Sequence, residues 1–92
     1  MQIIHSKSGT LGNAETLYVA LASAAHLVSI FVDNSSNVTV SVTNSDTVGA
    51  SSLWSVLTLT SNAASIAGPI TGVRLVANAS GGSYSIKAAR ES

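Results

Sequence analysis

A chain of 92 residues with no cysteine makes one domain and excludes disulfide staples, thiolate metal sites and thiol nucleophiles. Charged residues are only 9% of the chain and the formal net charge is zero, against about 25% charged in an average soluble domain. The cations Lys7, Arg74, Lys87 and Arg90 are scattered, which argues against a nucleic-acid footprint. The longest apolar stretch, Leu17–Leu27, is interrupted by Ser23 and His26 and falls short of the roughly 20 residues of a membrane span. The first residues lack the basic and apolar regions of a signal peptide, so synthesis in a cytosol is expected.

In chain order, residues 1–13 read as an N-terminal arm or edge segment, with Ile3 and Ile4 ahead of a Gly/Ser/Asn-rich stretch. Residues 14–92 read as a single β domain. Thr16–Leu21 is expected as a strand with a bend, its alanine-rich continuation through Ala25 leaving a short helix as the alternative. Leu27–Val32 is a mostly apolar run interrupted by Ser29, consistent with a more buried strand. The cluster Asp33–Asn37 is a turn, because these side chains bond their own backbone, and Val38–Thr43 then alternates valines with hydroxyls. Together they read as a hairpin.

Further along, Asn44–Ser52 is a long polar loop expected to cross between sheets, and Leu53–Thr60 is a strand that carries Trp54. Ser61–Pro69 is a second long loop, expected to cross between sheets. Ile70–Ala77 and Ser83–Ala88 read as a second hairpin, with Gly81-Gly82 supplying positive-φ positions at its turn and Pro69 at the strand entry. Tyr84, Ile86 and Ala88 should face inward, and Ser83, Ser85 and Lys87 outward. The whole is expected to be all-β, a small antiparallel β-sandwich or barrel of about six or seven short strands. Val38, Val40 and Val42 should line one side of the core, with Leu57, Leu75, Tyr84 and Ile86 opposite.

The chain is poor in chemistry. Its bases are His5 and His26, and its carboxylates Glu15, Asp33, Asp46 and Glu91. A serine–histidine–aspartate set can be written from His26, Asp33 and one of many serines, but no G-x-S-x-G nucleophile elbow occurs. The two histidines have no partnering ligands for zinc, and the oxygen-rich Asp33–Asn37 lacks the glycine and terminal glutamate of a calcium loop. Gly9-Thr10-Leu11-Gly12 is neither a P-loop nor a dinucleotide fingerprint. No catalytic residue, cofactor or metal is therefore expected. The aromatics Tyr18, Phe31, Trp54 and Tyr84 could furnish a small sugar platform, but Trp54 in an apolar strand belongs in the core. Arg74, a charge inside a strong strand, is a solvated strand residue or points to a partner or to Glu91.

The C-terminal segment Gly68-Pro69-Ile70-Thr71-Gly72-Val73-Arg74-Leu75, followed by Gly81-Gly82-Ser83-Tyr84-Ser85-Ile86, resembles the closing hairpin of small virion proteins of tailed bacteriophages. The resemblance is confined to those residues. It implies a structural protein of the virion, made in the host cytoplasm. A capsid decoration (cement) protein that bridges major capsid subunits fits best, such proteins being often homo-oligomers and frequently trimers. A tail, fibre or connector component is the alternative, and a carbohydrate- or receptor-binding module the next. Composition agrees with assembly, since Ser/Thr/Asn surfaces form hydrogen bonds without desolvating charges. Ile3, Ile4, His5 and Arg74 are the expected partner contacts, with neither nucleic acid nor membrane involved.

Overall fold

A computed structural model describes residues 2–34 and 36–90 of the chain. It is all-β, with no helix among the described residues. Six strands form one antiparallel sheet: β1 (Gln2–Thr10), β2 (Thr16–Val32), β3 (Val38–Thr43), β4 (Ser55–Leu57), β5 (Ala63–Ala77) and β6 (Ser83–Arg90). Their order across the sheet is β1-β6-β2-β5-β3-β4. Among the described residues the end strands β1 and β4 each pair on one side only.

Two strands are long, 17 residues in β2 and 15 in β5, and they make the fold. They pair twice, Thr16–Ala20 against Val76–Gly72 and Leu27–Phe31 against Ala67–Ala63, with the register broken between Ala20 and Leu27. At this break lies the cis Gly68-Pro69 peptide, inside β5 rather than at its start. A side chain on Gly68 would meet the Ala25 carbonyl, so glycine permits the close crossing of the two backbones. Beyond the break β2 pairs with β6, which carries β1; β5, likewise beyond its own side of the break, pairs through Gly72–Ala77 with β3, which carries β4. The sheet folds over at the bend and forms two layers.

One apolar cluster fills the space between them. Val28, Ile30, Val32, Ile86 and Ala88 enter from the first layer, and Val19, Val38, Val40, Val42, Val73 and Leu75 from the second. Tyr84, Ile86 and Ala88 point inward as expected, and Ser83 and Lys87 are exposed. Leu57 is only half-buried and packs against the cluster from the side. Leu75 lies in the same layer as the β3 valines, not opposite them. Gly9 faces Tyr84 across β1 and β6, and the phenol lies over it, 3.0 Å from where a side chain would begin. The ring so covers the strand position that has no side chain of its own.

Both expected hairpins are corrected. β2 and β3 do not pair, because β5 lies between them; β5 and β6 do not pair, because β2 lies between them. The Asp33–Asn37 and Asn78–Gly82 connections therefore carry the chain from one layer to the other. They are pinned together there: Asn34 Nδ2 donates to the Gly81 carbonyl at 3.1 Å, Ser83 N to Asp33 Oδ1 at 2.8 Å, and Asn78 N to the Asn37 carbonyl at 2.8 Å. Gly81 and Gly82 do not adopt positive φ. They are small because side chains there would run into the Leu11 carbonyl and the Asp33 carboxylate.

The tight hairpin turn lies elsewhere, at Thr60-Ser61-Asn62-Ala63. Ser61 and Asn62 have φ of 53° and 64°, and Thr60 and Ala63 exchange backbone hydrogen bonds of 2.8 and 3.0 Å. Two central residues of positive φ are what a two-residue type I′ turn requires. The supposed long loop Ser61–Pro69 is thus this turn followed by nearly the first half of β5.

Candidate functional site: two open faces and an edge

The outward side chains of the first layer form rows across neighbouring strands. Ser6, Lys87, Ser29 and Ser65 make one row; Ser8, Ser85, Phe31 and Ala63 make the next. The face is flat, hydroxyl-rich and nearly free of charge, and Phe31 stands in it 57% exposed. Shallow hollows flank the phenyl ring, one lined by Ser29, Ser85 and Lys87, the other by Asp33, Asn62 and Tyr84. The reading of Leu27–Val32 as a mostly apolar run interrupted by Ser29 leaves the side of Phe31 unassigned. The alternation of Val28, Ile30 and Val32 with Ser29 and Phe31 is the signal that places the phenyl ring outside.

The expected partner residues Ile3, Ile4 and His5 lie on β1, a regular strand rather than a free arm. Ile3 is exposed, Ile4 sits at a register shift and packs against the core, and His5 is half-buried with Nε2 enclosed and lacking a hydrogen-bond partner. Residues Ser6 to Thr10 are exposed on both faces of the strand, because the second layer does not extend beneath it.

Arg74 is not with them. It lies in the outer face of the second layer, in a row Val56–Ser41–Arg74–Tyr18 that crosses β4, β3, β5 and β2 in register. Its Nη2 donates to Ser41 Oγ at 3.3 Å, and its guanidinium carbon lies 5.0 Å from the Trp54 ring centroid. A cation over an indole is stabilised by about 0.5–2 kcal/mol. Its Nε is buried and unpartnered. Among the described residues no carboxylate pairs with it; Glu91 lies outside them.

Trp54 is therefore neither in a strand nor in the core. It precedes β4, is half-buried, and leans over the outer face with its ring 5.8 Å from that of Tyr18 at an angle of 48°. The loop 44–54 holds it there. Trp54 Nε1 donates to the Gly49 carbonyl at 3.0 Å, Ser52 N to the same carbonyl at 3.1 Å, and Thr71 Oγ1 to the Ser45 carbonyl at 2.6 Å. Val48 packs on Gly72 so closely that a methyl group there would sit 2.7 Å from it. This covering explains why Ser41 and Thr43, on the hydroxyl side of β3, are buried as deeply as its valines. Next to the covered region, Leu53 and Val56 are 81% and 66% exposed.

His26 and Asp33 belong to one run of extended chain and stand roughly 20 Å apart at the usual rise per residue, so the set written from them is not assembled. No cluster of three metal-ligating side chains forms among the described residues. The cleft between β4 and the β5 bend is lined by Val42, Leu53, Ile66, Pro69 and other groups with no titratable side chain among them. No protein-family model and no curated protein matches this chain.

Proposed function

We propose that the chain is a structural subunit that attaches to a larger protein shell, a decoration protein of the phage-capsid type, through the outer face of its first layer. The observation that carries the reading is the pair of hydroxyl rows around exposed Phe31. A flat charge-poor face can be covered with little desolvation cost, its serines then bonding to the partner's backbone and side chains. Phe31 supplies the aromatic anchor about which such contacts concentrate. The C-terminal resemblance to tailed-phage virion proteins supports a capsid of major capsid subunits as that shell.

The test is attachment to capsids of the phage that encodes the chain, assembled without it and then incubated with added protein. Wild-type chain is expected to co-sediment at a fixed ratio to the major capsid protein. Phe31→Asp should keep its circular dichroism spectrum and lose attachment at least tenfold, as removal of a hot-spot aromatic does. Failure of the wild-type protein to bind such capsids would reject the reading. Binding unchanged in Phe31→Asp would move it to another surface.

A further inference from the structure

The outer face of the second layer lies on the opposite side of the molecule and has different chemistry. Four strands present the row Val56–Ser41–Arg74–Tyr18, about 14 Å wide at the usual strand spacing. Trp54 lies over its centre, with exposed Leu53 beside it. Tryptophan, tyrosine and arginine within an apolar surround are the composition of a protein contact.

Arg74 and the carboxylates indicate what covers it. The described residues contain the carboxylates Glu15, Asp33 and Asp46. Glu15 accepts a hydrogen bond from Gly12 N and Asp33 from Ser83 N. Asp46 is exposed and uncommitted, and it sits on the loop that carries Trp54. Arg74 is the cation that is half-buried, unpaired and incompletely hydrogen-bonded. Arg74 Nε is enclosed, but the residue as a whole is only half-buried, and a guanidinium with no carboxylate partner is complementary in charge to the free carboxylate on the loop that covers the same face. About a two-fold axis, each would meet the other twice.

We propose that this face binds a second copy of the chain, in an isologous dimer that buries Tyr18, Leu53, Trp54 and Val56 and sets Asp46 of each copy toward Arg74 of the other. The proposal is independent of the capsid reading, because it uses the opposite face and is tested on the isolated chain.

Sedimentation equilibrium over a concentration series should give a wild-type mass of two chains. Trp54, the single tryptophan, should become protected from acrylamide quenching as the dimer forms. Asp46→Lys and Leu53→Asp alter exposed side chains and should leave the fold intact by circular dichroism. Each should raise the dimer dissociation constant at least tenfold and restore quenching. Phe31→Asp, on the other face, should not. A wild-type chain that stays monomeric would overturn the proposal, and so would a trimer, since an isologous contact closes at two. A dimer indifferent to both substitutions would overturn it too, as would glycan-array binding lost in Trp54→Ala with no dimer at any concentration.

Discussion

At the scale of single residues, stability rests on a few enclosed side chains and on glycines that let backbones meet. Leu75 is fully buried between the layers, so Leu75→Ala leaves a cavity and should lower unfolding free energy by about 2–5 kcal/mol in a denaturant titration. Val40 is equally enclosed, and Val40→Asp should abolish folding, because the charge would be buried without a partner. The glycines separate by what stands opposite them. At Gly81 a methyl group meets the Leu11 backbone, which cannot give way as a side chain does, whereas at Gly49 it meets nothing. Gly81→Ala should therefore cost about 1–3 kcal/mol by overpacking and Gly49→Ala almost nothing, as read from paired thermal melts.

At the scale of elements, the turn 60–63 can be improved. Ser61 and Asn62 both take positive φ, a conformation that asparagine and glycine adopt more readily than serine. The double change Ser61→Asn with Asn62→Gly should raise stability by about 1 kcal/mol, measurable as a higher denaturation midpoint at unchanged slope. The same turn marks what sequence can convey. The inward parity of Tyr84, Ile86 and Ala88, and of Val38, Val40 and Val42, was legible because alternation is a local property. The neighbours of each strand were not. Asp33–Asn37 and Asn78–Gly82 carry the composition of turns, but composition does not say whether the chain returns to the strand it left or crosses to the other layer. Pairing between β2 and β5 is decided by contacts far apart in sequence, and so is the position of Trp54. Its apolar flanks suggest a core strand, yet the loop 44–54 folds back and sets it over Arg74. Of the expected contact residues, Ile3, Ile4 and His5 lie on β1. Arg74 lies on a different surface, where the strand register sets Tyr18 and Val56 in its row, a neighbourhood that local sequence does not display.

At the scale of the whole molecule, the two layers cannot separate as independent halves, because β2 and β5 run through both. Amide exchange should therefore be slowest where these strands are paired on both sides, Leu27–Phe31 of β2 and Gly72–Val76 of β5, and fastest in the edge strand β4, whose three residues pair on one side only. Uniform protection across all strands would contradict this.

One register has a consequence for the order in which the chain can be connected. Gln2 lies opposite Arg90, and β1 runs back along β6 to Thr10 opposite Ser83. The two ends of the described chain are thus neighbours, although their pairing spans nearly its full length. Circular permutation would turn this most distant pairing into a local hairpin, with the ends joined by a short Gly/Ser linker and the chain opened at the exposed turn between Asn13 and Ala14. Rates of β folding are limited by closing such long loops. The permutant should therefore keep the same fold yet refold faster than the natural order, as followed by Trp54 fluorescence in stopped flow.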